Sequence, residues 1–191
     1  MRKTLQAKQQ VQSRIEQAAV ELFLEHGYRG TTVRAIAGRA GMTSGNIYFY
    51  YPCKEALFAS IVEPARRELE ELIQSGQRAM LQADRLSPSV IQDNYRKAAS
   101  LFGRRRLSIL VLFAAGAGTP YQGMYQELVD RMSACIYELA LTWSGRRQGG
   151  GLKEPFFYRL LGLFWVEGFL EIVRGFRGEE WAERMLHDYV E

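Results

Sequence analysis

The sequence predicts an all-α fold of about nine helices, with a helix-turn-helix near its start. Three observations carry this. Apolar residues recur at helical spacing through most of the 191 residues, and no stretch alternates as a strand of useful length would. Only 5 prolines interrupt the chain, and its 18 glycines gather at a few points. Within residues 31–57, two short amphipathic patterns meet at Gly41, and each opens on a hydroxyl residue.

Residues 1–10 are basic and polar, and read as a mobile arm whose Arg2, Lys3 and Lys8 suit phosphates. A first helix follows, with Val11, Ile15, Ala18, Ala19, Leu22 and Phe23 on one face, ending at His26-Gly27. Thr32 is the expected N-cap of the second helix, and Val33, Ile36, Ala37 and Ala40 form its inner stripe. Gly41 makes the turn. Thr43 caps the third helix, whose inward residues are Ile47 and Tyr51. Lys54 opens a fourth helix with Pro64 inside it, a position expected to kink.

Ser87-Pro88 signals the next helix start. Gly103 reads as a break, after which Arg104-Arg105-Arg106 leads into a separate apolar helix over residues 107–117. Tyr125, Leu128, Met132, Cys135 and Leu139 stripe a seventh helix, and residues 145–151 read as a flexible loop. Pro155 starts an eighth helix that is apolar on most sides, so it needs cover on more than one face. A ninth, with Trp181, Met185 and Tyr189, closes the chain.

Charge is uneven. The net charge is +4, yet residues 1–54 alone hold eight basic against three acidic side chains. A basic first part on a near-neutral remainder suits a polyanion partner for that part only. Two distant cysteines and two histidines supply no disulfide framework and no metal-ligand set. There is no phosphate loop, no His-Glu-x-x-His and no Gly-x-Ser-x-Gly, so no enzyme and no cofactor is expected. Neither a signal-peptide pattern nor an apolar run of spanning length is present, which makes a cytoplasmic setting the expectation.

The chemistry sits around Gly41. A helix-turn-helix needs small residues where its helices cross and short polar groups at the exposed start of the second helix. Ser44, Gly45 and Asn46 fit: Asn46 can both donate to and accept from a base edge, and Gly45 lets backbone approach. Tyr48, Tyr50 and Tyr51 offer phenolic donors, and Lys54 a point charge, to phosphate. Taken alone, these residues also suit a three-helix structural cluster with aromatic core.

The stretch resembles the tetracycline-repressor (TetR) family of bacterial transcription regulators. The matching residues include Ile15, Ala18-Ala19, Leu22-Phe23, Gly27-Tyr28, Thr31-Thr32-Val33, Ile36-Ala37, Ala40-Gly41-Met42, Gly45, Ile47-Tyr48, Tyr50-Tyr51 and Lys54-Glu55 with Leu57, about the first third of the chain. The resemblance implies a DNA-binding domain over residues 1–53 and a ligand-binding and dimerisation domain over 54–191. It implies a homodimer on a pseudo-palindromic double-stranded operator, most often a repressor released by a small-molecule effector. An activator, or a scaffold whose DNA head has lapsed, are the other readings. By position, Thr32, Arg34, Thr43, Tyr50 and Lys54 match phosphate contacts, and Ser44, Gly45, Asn46, Tyr48 and Phe49 match the positions nearest bases. Cys53 departs from the family pattern and is a poor cap, a local cost of about 1 kcal/mol.

In the remainder, Tyr95, Phe102, Leu110, Phe113, Tyr125, Met132, Tyr137 and Trp165 lie on helices that line the pocket in relatives, though aromatics at this spacing equally suit plain core. Glu167, in an apolar helix, needs a partner if buried: a cationic ligand, an arginine or the dimer seam. Phe157, Leu161, Phe164, Gly168 and Trp181 are the candidate dimer residues, two helices from each subunit forming a four-helix bundle.

Overall fold

The computed structural model describes residues 2–82, 88–144 and 153–190. Among these residues every regular element is a helix: α1 (Arg2–Gly30), α2 (Val33–Arg39), α3 (Ser44–Tyr50), α4 (Lys54–Gln82), α5 (Pro88–Ala114), α6 (Met124–Ser144), α7 (Pro155–Arg174) and α8 (Glu179–Val190). The Ser87 cap and the 145–151 loop lie outside the described residues, as do the side chains of Arg2 and Lys3. No described helix is long and apolar enough to cross a membrane.

The count is eight rather than about nine because the expected fifth and sixth helices are one. A glycine in a helix interior costs only about 1 kcal/mol. Ala98, Ala99, Leu101 and Phe102 before Gly103, and Ile109, Val111 and Leu112 after it, are all buried, which outweighs that cost. The arginine run therefore sits in mid-helix, not at a helix start. The chain also enters α1 at Arg2 instead of remaining an arm, and Gly27 takes the expected positive φ (69°) inside the element.

The chain forms two compact units. The first is Met1–Arg67 with Leu107–Gln122, and the second is Glu68–Arg106 with Gly123–Glu191. Both α4 and α5 contribute residues to each.

In the first unit, Ile15, Phe23, Ile36, Ile47, Leu57 and Phe58 are essentially sealed from solvent. Each contributes on the order of 2 kcal/mol by burial. Phe58 is the centre of an aromatic group: its ring lies 5.1 Å from Phe23, 5.2 Å from Tyr28 and 5.9 Å from Tyr121. Thr31 is the one buried polar residue among those described, its hydroxyl 2.9 Å from Leu22 O and 2.8 Å from Gly27 O. It ties the end of α1 to the strand-like step before α2.

Glu63 of α4 accepts hydrogen bonds from Arg66 (2.8 and 2.9 Å), Arg67 (2.9 Å) and the Tyr121 hydroxyl (3.2 Å). The Arg66 guanidinium foremost, with Arg67 and Tyr121, holds its carboxyl down to about 2. A folded-state pKa below the unfolded one gives stability that is present above the ordinary value of 4.5 and lost as pH falls toward 2. Unfolding free energy measured in urea across that window is expected to fall less steeply in Glu63→Gln than in the parent. Equal slopes would refute the assignment.

In the second unit, glycines mark where helices meet. A Cβ on Gly162 of α7 would lie 2.9 Å from Val129 O and 3.0 Å from Ser133 N of α6, and would collide with the Ser133 hydroxyl. A Cβ on Gly103 would stand 2.9 Å from Glu179 Oε1 at the start of α8. The arginine run is fully engaged: Arg104 and Arg105 pair with Glu68 at 3.1 and 2.8 Å, and Arg106 donates to the last carbonyls of α7, Val173 O at 2.9 Å and Arg174 O. A guanidinium at a helix C-terminus complements both its free carbonyls and its dipole.

Candidate nucleic-acid interface

The two helices around Gly41 are built by local chemistry. Thr32 is extended and accepts from Ala35 N at 3.1 Å, capping α2 as expected. The chain leaves α2 through Ala40 and turns at Gly41, whose φ of 65° suits a residue without a Cβ. Met42 N returns to Ala37 O at 2.9 Å, closing the turn. Thr43 then caps α3 by accepting from Asn46 N at 3.4 Å, which leaves its own O–H to donate elsewhere. Burying Ile36, Ala37 and Ile47 sets which face of α3 remains outside.

That outer face carries the sequence-nominated residues. Gly45 and Asn46 are exposed, Ser44 and Tyr50 half-buried. Tyr48 is 52% exposed and Phe49 78%, high for side chains this apolar. The Phe49 and Tyr50 rings meet edge to face at 5.2 Å. Beside them runs a groove lined by Val11, Arg14, Met42, Asn46, Phe49 and Tyr50. Arg34 is exposed, and its guanidinium has no side-chain partner among the described residues.

Not every positive charge is free. Arg14 donates to Ala40 O at 2.7 Å, closing the end of α2, a role with no signal in the sequence beyond its charge. Arg39 is held by Glu21 and Glu25 at 2.9 and 3.2 Å. Lys54 differs most from expectation. Its ammonium donates to Tyr28 O and Thr31 O, both at 2.7 Å, and sits 4.1 Å from the centre of the Tyr28 ring. Burial pulls its pKa below the ordinary lysine value. Two of its three donors are thus committed to fastening the α1–α2 connection.

Cys53 is not an empty cap. Its sulfur accepts from Ala56 N at 3.4 Å, the position a cap oxygen would take at the start of α4. Tyr51 is core, as its position suggested: its hydroxyl donates to Glu16 at 2.7 Å, and burial foremost, then that carboxylate, pushes its pKa up.

The second unit holds an apolar cavity of about 150 Å³, walled chiefly by Leu72, Ile73, Tyr95, Met132, Trp165 and Phe169. Of the nominated pocket residues, Tyr95, Met132 and Trp165 line it. Phe102 is sealed core, its ring 4.7 Å from Phe169. Leu110 and Phe113 belong to the first unit, and Tyr137 stacks edge-on against Tyr158 at 5.1 Å. Glu167 is exposed, not buried: it accepts from Tyr125 at 2.6 Å and pairs with Arg174 at 3.5 Å. That hydrogen bond, more than burial, raises the Tyr125 pKa to about 12.

The nominated dimer residues divide. Phe157 (43%) and Phe164 (62%) are exposed along one edge of α7, with Leu161 half-buried between them. Gly168 instead receives the ring of Tyr189 from α8, whose hydroxyl donates to Phe164 O, so its missing side chain serves the chain's own helix contact. Trp181 lies against Gly175 under the Arg177 guanidinium.

Comparison with known proteins adds a family. Residues 15–61 match the model for bacterial regulatory proteins of the tetR family. The HTH-type transcriptional repressor BepR of Brucella suis is 31% identical over 136 residues, 69% of this chain and 62% of its own. The chain thus spans less than two-thirds of that relative's length. The HTH-type transcriptional regulator RutR of Escherichia coli is 27% identical over 157 residues, 78% of this chain and 68% of its own. Among solved structures, NalD, described as the secondary repressor of the MexAB-OprM multidrug efflux pump in Pseudomonas aeruginosa, shares the fold with a TM-score of 0.57 at 24% identity, over 96% of this chain and 95% of its own. The matched segment contains α2, α3 and the start of α4, the elements that build the exposed face. Residues 15–61, the segment that builds the exposed face, belong to the tetR family of bacterial regulatory proteins.

Proposed function

We propose that the protein is a sequence-specific DNA-binding repressor, acting in the cytoplasm as a homodimer and released from a pseudo-palindromic operator by a small molecule. One observation carries this: α3 exposes Asn46, Tyr48 and Phe49 on a capped, well-anchored helix, and the exposed Arg34, nearby in sequence, has no side-chain partner among the described residues. Residues 1–53 are the DNA reader, and residues 54–191 bind effector and partner. Asn46 and Phe49 address base edges; Thr32, Arg34, Thr43 and Tyr50 address phosphates. The exposed edge of α7, with Phe157, Leu161 and Phe164, supports pairing with a second copy, which two-fold symmetry turns into half-sites about 34–36 Å apart. Effector in the cavity shifts the population of head spacings through α4, with Pro64 as its weakest hydrogen-bonding point.

The test is duplex binding to the gene's own upstream region across a salt series. Asn46→Ala is expected to cost about 1–3 kcal/mol and to relax preference at one base position. Arg34→Ala is expected to weaken all duplexes alike and to lower the salt slope by about one. Binding that is insensitive to salt, sequence and both substitutions would reject the proposal.

A further inference from the structure

The cavity of the second unit constrains what can enter it. Its volume, about 150 Å³, is that of an apolar cavity known to hold one benzene ring. Trp165 and Phe169 supply aromatic surface. None of the lining residues is Asp, Glu, Lys or Arg. Cys135 lines it too, and burial pushes that thiol up, so it brings no charge at neutral pH. An ion entering here would surrender its water and find no counter-charge.

Polarity is confined to a few groups. Gln77 and the Tyr95 hydroxyl are two of them. Asn94 lines the cavity, and its amide has no side-chain hydrogen bond among the described residues. Its two N–H donors and its carbonyl oxygen are therefore open to a ligand. We propose that the cavity takes a single uncharged ring bearing one hydrogen-bonding group, the chemical class of phenol, and rejects ions of the same size. Asn94 answers the polar group, and Trp165 and Phe169 hold the ring. This rests on reading the second unit as the effector-binding part.

Gly76 offers a clean block. It lines the cavity, it lies inside α4, and a Cβ there would meet nothing within 4 Å. Leucine at this position improves helix propensity while occupying the void, so the variant folds. Calorimetric titration with phenol, toluene and benzoate, on the full chain without DNA, tests the proposal. Phenol is expected to bind the parent, benzoate ~30-fold or more weakly, and Gly76→Leu to abolish phenol binding. Asn94→Leu is expected to erase a preference of roughly fivefold for phenol over toluene while keeping toluene binding. Three results would overturn it: no phenol binding, benzoate within about threefold of phenol, or phenol binding retained in Gly76→Leu. Duplex affinity with and without phenol is scored separately. Blockable phenol binding that leaves duplex affinity unchanged upholds the ligand class and defeats the release mechanism.

Discussion

Gly162→Val is expected to destabilise the protein by about 3 kcal/mol, the largest effect of any single substitution considered. The Ser133 hydroxyl could rotate away from an added Cβ, but Val129 O and Ser133 N are backbone, 2.9 and 3.0 Å from where it would stand. Relief therefore needs α6 and α7 to separate, which would open contacts around buried Val129, Tyr158 and Val166. Helix propensity favours valine over glycine by only a few tenths of a kcal/mol and does not compensate. Urea unfolding should show a lower midpoint with an unchanged slope. A midpoint within error of the parent would mean the helices do not cross at this glycine.

Lys54→Met should cost about 2 kcal/mol of stability and leave the salt dependence of duplex binding untouched. Methionine keeps the chain's length and its apolar contact but leaves Tyr28 O and Thr31 O without their donor. Melting should fall by roughly 4–8 °C. A residue that neutralises a phosphate behaves oppositely: its loss lowers the salt slope by about one and barely touches melting. The pair of measurements decides which of the two tasks this ammonium performs.

Much of the head was legible because its determinants are local. Thr32 and Thr43 cap over three residues, and Ile36 and Ile47 follow from periodicity. The partners of Lys54 were not legible, because they lie 26 and 23 residues earlier, beyond the reach of any spacing rule. Gly103 reads as a stop only while its helix is considered alone; burial on both sides overrides it. Along α7, periodicity identifies two apolar faces without saying which one Tyr189 occupies, so the packing of Tyr189 on Gly168 was not legible. Glu167 has an arginine partner, one of the three that its position allowed, but its exposure on the outer edge of α7 was not legible. The cavity needed five helices in place before Asn94 or Gly76 could be noticed.

The two thiols also differ in a way that turns the protein into its own measuring device. Cys53 is exposed, while Cys135 is buried and held protonated. A thiol-directed spin label therefore selects residue 53 in the unmodified chain, the last residue of the proposed DNA reader. In the proposed paired assembly that places one label on each reader, and the label-to-label distance becomes a ruler for half-site spacing, readable with and without effector.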